Sequence, residues 1–204
     1  GRGPVYRLPG DEGGDPLVIR HYWRGGAVAA LLGDRYLRVS TPRPVRELWT
    51  SVAVRARGVA TPKVAALGVY PDGVFYRADL VSVYVPDSVD LAEALFGPEA
   101  LEGDDRFAAW RAAGRLVHDL HEAGVVHADL NVKNILLRRS AGSPRAYVLD
   151  LDRCRVHGRV SRRRRARVLR RFRRSVDKWA ERTGRPLRLG EVEAFEETAR
   201  GTDA

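Results

Sequence analysis

The sequence predicts an α+β chain of two lobes, a small β-rich N-terminal lobe over residues 1–84 and a mostly helical C-terminal lobe over residues 85–204. Three observations predict it. Strand-type apolar runs at 17–22, 63–70 and 74–85 end by residue 85. Helical periodicity takes over after it, at 91–96, 107–122 and 161–180. Between the last two helical stretches lies a polar loop, 125–137, held by Val125 and Val126 on one side and by the apolar run 135–137 on the other. A chain of 204 residues can bury one sizeable core or two small lobes.

Taken in order, residues 1–8 carry Gly1 and Gly3, which permit a close backbone approach; a glycine-rich turn and a frayed terminus are both open here. Residues 11–15 are a Gly-rich turn, 17–22 a strand, and Arg24-Gly25-Gly26 breaks it. Val28, Leu31 and Leu32 recur at helical spacing before Gly33-Asp34-Arg35-Tyr36. Thr41-Pro42-Arg43-Pro44 starts a helix, since proline is tolerated in a first turn. Val45, Leu48, Trp49, Val52 and Ala56 form its apolar stripe, and Gly58 ends it. Glu47 lies near its start, where a carboxylate also complements the helix dipole. The strands at 63–70 and 74–85 flank a turn at Pro71-Asp72-Gly73, and Pro86 stops the second. In the helix at 107–122, Trp110, Ala113, Val117 and Leu120 make the inner face and Gly124 closes the end; His118 and His121 on it read as structural. A strand at 147–149 ends in Asp150, Ser161 is an N-cap for the Arg-rich helix 161–180, and 191–204 forms an acidic peripheral helix.

The loop carries the chemistry. His127, Asp129 and Asn134 fit the spacing H-x-D-x-x-x-x-N, followed by a second strand ending in Asp150, a set that resembles protein kinases and their relatives. The bland alternative is a tight surface hairpin with Asp and Asn as turn formers. The resemblance implies that Asp129 aims the attacking hydroxyl and accepts its proton, that Asn134 and Asp150 hold Mg²⁺ beside the phosphates of ATP, and that Lys133 helps neutralise the transferring group. It further implies that Arg20 stands where kinases carry a lysine against the α and β phosphates, that Glu47 pairs with it, and that Gly1 and Gly3 are the remnant of a phosphate-covering turn. Val83, at the end of the apolar strand before Pro86, is the candidate hinge position between lobes, where backbone groups meet adenine.

Departures from protein kinases narrow the acceptor. His127-Ala128-Asp129 lacks the usual arginine, Asn131 stands where serine/threonine kinases carry lysine, and neither D-F-G nor A-P-E is present. A small molecule or saccharide fits better than a protein. His127-Ala128-Asp129-Leu130-Asn131 with 134–137, Asp150-Leu151-Asp152-Arg153, Arg20-His21-Tyr22, Gly33-Asp34-Arg35-Tyr36-Leu37 and the 75–80 segment together resemble the 3-deoxy-D-manno-octulosonic acid (Kdo) kinase family, over residue 1 to about 179. That resemblance implies a lipopolysaccharide-core kinase acting on the 4-hydroxyl of Kdo on Kdo-bearing lipid A, at the cytoplasmic face of the bacterial inner membrane. A lipopolysaccharide heptose kinase and an atypical serine/threonine kinase are alternatives in the same class. A degenerate kinase-like module binding anionic lipid or RNA is the non-enzyme alternative.

Composition agrees with an anionic partner. Net charge is +10 and pI about 10.4, so nucleotide, nucleic acid, anionic lipid and phosphorylated saccharide all qualify. In residues 161–180, Val168, Leu169, Phe172, Val176 and Trp179 recur at helical spacing among nine arginines, giving a basic amphipathic helix whose Arg side is expected to meet membrane or glycolipid phosphates rather than nucleic acid. No obligate protein partner is evident. No apolar run approaches the roughly 18 to 20 residues that span a bilayer, and nothing reads as a signal peptide, so a soluble or peripheral protein is expected. Cys154 is the only cysteine, which points to a reducing cytosol. The chain has no Met and opens at Gly1, as a processed or cut chain would.

Overall fold

The computed structural model of the protein describes residues 5–10, 14–23, 32–139 and 143–201. The chain divides into two compact units, Gly1–Val52 with Pro62–Tyr84, and Ala53–Thr61 with Val85–Ala204. The first departs from a simple lobe over 1–84 because residues 53–61 belong to the second unit. Val54 and Val59 are buried in that unit's core, and the Thr61 hydroxyl donates to the carbonyl of Val148 at 2.8 Å.

The first unit is a five-stranded antiparallel sheet. Strand β1 (Val5–Leu8) pairs with β2 (Leu17–His21), and β2 pairs with β5 (Phe75–Val83) in the register Arg20↔Leu80. Strand β3 (Tyr36–Leu37) also meets β5, while β4 (Val64–Asp72) covers its other edge. The expected turn at 71–73 lies further along: Asp72 pairs with Phe75, and Gly73, with φ +60°, and Val74 make the reversal. Pro71 is tolerated within β4 because that strand has only one neighbour among the described residues, so its missing N–H breaks no second ladder there.

Helix α1 (Arg43–Ala56) forms where the Pro-rich start predicts it, but it buries a different face. Trp49 and Val52 are exposed, whereas Pro44, Glu47, Ser51 and Val54 are buried. The ion pair made by Glu47 decides the rotation, which apolar periodicity alone could not. The segment 24–31, with the helical spacing at Val28 and Leu31, lies outside the described residues, as do Gly1 and Gly3.

The second unit is built on α3 (Gly103–Glu122), preceded by β6 (Ser88–Asp90) and the short α2 (Leu91–Phe96). Trp110, Ala113 and Val117 of α3 are fully buried. Helix α4 (Arg162–Thr183) brings Val168, Phe172 and Val176 to the core, and α5 (Glu191–Arg200) brings Phe195. Phe172 and Phe195 stack at 4.4 Å between centroids, each edge-on to Trp110. Helices α3 and α5 approach so closely at Gly114 that a Cβ there would lie 2.5 Å from the carbonyl oxygen of Phe195. The buried Arg106 guanidinium donates to both oxygens of the buried Glu191 and, at 2.5 Å, to the carbonyl of Leu95, tying α5 and α2 to α3.

Strands β8 (Ile135–Arg138) and β9 (Arg145–Val148) join β6 in a three-stranded sheet, and β7 (Val125–His127) pairs with β10 (Cys154–Val156). Gly124 turns the chain from α3 into β7 with φ +75°, and an added Cβ would meet the carbonyl oxygen of His157 at 2.1 Å. Only glycine meets both conditions.

Candidate active site

In the first unit the strand end of β2 delivers Arg20 to α1. Its guanidinium donates to Glu47 Oε2 at 2.6 Å, and the Tyr22 hydroxyl donates to the same oxygen. Glu47 is 5% exposed, so this carboxylate is held in a dry environment by a cation and a phenol. The pairing anticipated between Arg20 and Glu47 is therefore present. Around it lie residues whose role the sequence did not reveal. Tyr36 stacks on Tyr76 at 5.5 Å, and Arg43 lies over the Tyr36 ring. His21 bridges Asp79 (2.6 Å) and Asp34 (2.9 Å). The three segments 20–22, 33–37 and 75–80 thus meet in one polar and aromatic cluster.

Val83 ends β5, and its backbone N–H is engaged there. Its N–H donates to the carbonyl of Lys63 at 2.8 Å and that of Tyr84 to Pro16 at 2.8 Å. Neither is left as a backbone donor for adenine.

In the second unit the polar loop is braced from within. Asn131 accepts from the N–H of Lys133 and donates to the carbonyl of Asp129, each at 2.9 Å, a local turn that its short amide can make. The buried Asn134 donates to the same Asp129 carbonyl at 2.9 Å, while its own carbonyl accepts from Leu149 N–H at 2.9 Å. His127, 1% exposed, donates from Nε2 to the carbonyl of Leu149 at 3.0 Å and accepts at Nδ1 from the Asp129 N–H at 3.2 Å. That pair of partners requires the neutral Nε2–H tautomer. Burial, the largest influence, pushes the imidazole pKa down and keeps it neutral. His127 is therefore a brace between the loop and the chain leaving β9, and it sets the backbone of Asp129.

Asp150 follows β9 in the left-handed region, with φ 64° and ψ 57°. Aspartate tolerates this better than most residues, but such outliers concentrate at functional sites. Asn134 and Asp150 offer oxygen donors, the chemistry that suits a hard cation such as Mg²⁺, which takes one or two protein carboxylates and completes its shell with water and phosphate. Among the described residues no group of three or more His, Cys, Asp or Glu converges as a preformed metal cage.

The Asp129 carboxylate, about one-third exposed, accepts from the Arg171 guanidinium of α4, and Arg153 approaches its other oxygen at 3.9 Å. Ser175, one turn beyond Arg171, accepts from the N–H of Val132 at 3.3 Å, so α4 also fixes the loop. These contacts were hidden in the sequence by the surrounding arginines, though Arg171 and Ser175 share an i, i+4 flank beside the buried stripe. Lys133 donates to Asp90 at 2.9 Å and lies 5.3 Å from the Trp179 ring.

Comparison with known proteins places this arrangement. Residues 11–189 match the model of the lipopolysaccharide kinase (Kdo/WaaP) family. A 3-deoxy-D-manno-octulosonic acid kinase of Haemophilus influenzae strain PittEE is 32% identical over 159 residues, 76% of this chain and 64% of that protein. The enzyme of the same name from Vibrio parahaemolyticus is 31% identical over 173 residues, 81% and 69% of the two chains. The chain thus spans a little under two thirds of the Haemophilus relative it matches. A solved structure titled "WaaP in complex with acyl carrier protein" superposes with a TM-score of 0.62 over 98% of this chain and 79% of that one, at 23% identity, a likeness of fold. With this kinase-like architecture and the family match across most of its length, the chain belongs to the lipopolysaccharide kinase (Kdo/WaaP) family.

Proposed function

We propose that the protein transfers the γ-phosphoryl group of ATP to a hydroxyl of Kdo on Kdo-bearing lipid A, the 4-hydroxyl being the position we assign. The observation that carries this reading is the loop in which His127 and Asn134 both fix the backbone of Asp129, in a chain of the Kdo/WaaP family. The acceptor oxygen attacks the γ-phosphorus, the bond to ADP breaks, and Asp129 takes the hydroxyl proton. Arg20, held by Glu47, is the cation offered to the nucleotide phosphates, a fork where the lysine of other kinases is a point charge. Lys133 contributes positive charge near the transferring group. Asn134 and Asp150 would hold Mg²⁺, which when bound neutralises charge on the phosphate oxygens. Most of the acceleration then comes from positioning and electrostatics.

We place the reaction on the cytoplasmic face of the inner membrane, with the enzyme peripheral. No described helix is long and apolar enough to cross a bilayer, and the arginine side of α4 offers the attraction to anionic lipid that peripheral attachment uses.

The test is transfer of labelled phosphate from ATP with Mg²⁺ to Kdo-lipid A, beside a heptose-bearing acceptor and a generic protein, for the wild type and Asp129→Ala. Transfer to Kdo-lipid A that disappears in the variant supports the reading, and mapping the product gives the position. Absence of transfer with folded protein, or transfer only to another acceptor, overturns it. A docking module without turnover is the second reading, favoured by the ion pair that Arg171 makes on Asp129; such a module would keep its lipid binding in Asp129→Ala.

A further inference from the structure

The start of α4 is built against the stability of its own helix. Arg162, Arg163, Arg164 and Arg165 fill its first turn, which has no acidic residue, and the Ser161 side chain makes no capping bond. Positive charge at a helix N-terminus opposes the macrodipole, so, apart from Arg165, which binds the Val160 carbonyl and Glu122 of α3, these arginines are not there to hold the helix. Beside them, between α4 and α5 and reaching the last turn of α3, runs a groove of about 1150 Å³. Its floor is aliphatic, from Val160, Ala166, Leu169 and Ala199. Arg159, Arg162, Arg170 and Arg174 line it and make no ion pair among the described residues. Among the described residues the groove's one carboxylate, Glu196, is already paired with Arg200.

A second observation is independent of the arginines. His121 lines the same groove and is 2% exposed, and its Nδ1 is buried with no hydrogen-bond partner. A buried polar atom left unsatisfied by the protein is costly unless something else meets it. In the Nδ1–H tautomer it is a donor suited to a phosphate oxygen.

We propose that this groove binds the phosphate headgroup of an anionic phospholipid, with the arginines on the phosphate and the first acyl methylenes on the aliphatic floor. Guanidinium forks match phosphate, and the apolar floor gains from methylenes what a bare anion would not supply. A single-stranded polynucleotide would want aromatic stacking surfaces, and among the described residues the lining has no Phe, Tyr or Trp. The groove is distinct from the Asp129 site. At 100° per residue, Leu169 and Arg173 lie on one flank of the stripe Val168, Phe172 and Val176, and Arg171 and Ser175 on the other. The inference rests on the membrane-facing part of the proposed function and is independent of the phosphoryl transfer.

The test is co-sedimentation with phosphatidylcholine vesicles with and without phosphatidylglycerol, using two double variants of equal charge. Arg170→Gln with Arg174→Gln removes groove arginines; Arg163→Gln with Arg167→Gln removes α4 arginines outside it. The expected result is a loss of about tenfold or more in binding to phosphatidylglycerol vesicles for the groove pair, at about 1 kcal/mol per arginine, and a loss several times smaller for the other. Soluble dihexanoyl phosphatidylglycerol should bind by calorimetry where glycerol phosphate does not, and Leu169→Asp should abolish that binding. Equal losses in the two pairs would mean a diffuse cationic coat and overturn the proposal. Glycerol phosphate binding as well as the lipid would overturn its lipid part, and poly(U) or polyglutamate binding lost in the groove pair while vesicle binding survives would reassign the groove. Phosphate transfer to detergent-dispersed Kdo-lipid A, measured in the same variants, keeps failure of the groove separate from failure of the kinase reading.

Discussion

Arg171 of α4 donates to the carboxylate of Asp129, so the residue assigned as proton acceptor already has a cation against it. The acceptor acid named for the relatives carries a carboxylate of its own. On the proposed reaction, that group takes over Arg171 and leaves Asp129 to the hydroxyl. Arg171→Gln should therefore raise KM for Kdo-lipid A about tenfold or more, on the scale of a charged hydrogen bond, with a smaller change in KM for ATP. Steady-state kinetics with each substrate varied in turn checks this. A variant that loses kcat alone would make Arg171 a support of Asp129 and not a reader of the acceptor.

Glu47 is buried against Arg20 and Tyr22, and its role is to fix the guanidinium. Glu47→Gln keeps the shape but removes the charge that orients Arg20. The expected loss is roughly 10²-fold in kcat/KM, the scale of a mispositioned electrostatic group. Arg20→Lys tests geometry separately: a lysine keeps charge and loses the fork, so its activity should lie between those of wild type and Arg20→Ala. Equal loss in both Arg20 variants would show that the fork, and not the charge, is required.

The Arg106–Glu191 pair is a question of stability, far along the chain from the loop. Removing one partner leaves a charge stranded in a dry interior, which costs about 3–5 kcal/mol. Glu191→Ala should lower the urea midpoint accordingly, and the double variant Arg106→Met/Glu191→Leu should recover much of the loss. Gly114→Ala should also destabilise, because its Cβ has only backbone and Thr198 to displace.

What the sequence could reveal follows from which forces are local. The helices at 91–96 and 107–122, the strands around the loop and the Gly124 cap depend on periodicity and near neighbours, and they form close to where they are read. The Arg20–Glu47 pair was legible only through the kinase resemblance, since nothing local joins residues 27 positions apart. The buried face of α1 was misread because Trp49 and Val52 outweigh Glu47 in any hydrophobic count, while tertiary pairing buries Glu47 instead. Arg171 was invisible for the opposite reason: one functional guanidinium among ten arginines has no distinguishing pattern until the helix is placed on the loop.

The two buried histidines of the second unit set a pH limit on its stability. Burial is the main cause that lowers the His121 pKa to about 4, with Arg165 and His118 adding to it and Glu122 opposing; His127 is shifted down mainly by burial as well. Both are neutral when folded, whereas in the unfolded chain each titrates near 6.5. Between about pH 6.5 and the folded values, the unfolded state binds protons that the folded state refuses, so stability is full above that window and falls as pH drops through it. For His121 the shift amounts to about 2 kcal/mol between pH 7 and pH 5. Urea unfolding at those two pH values should show at least that loss in the wild type, and His121→Leu should flatten the dependence by about the same amount. His127→Leu should flatten it too, but it also removes the brace on Asp129, so phosphoryl transfer at pH 7 should fall in that variant and survive in His121→Leu. Identical pH slopes in wild type and His121→Leu would mean that His121 titrates normally in the folded protein, and the pH sensitivity would then have to come from His127 and the carboxylates.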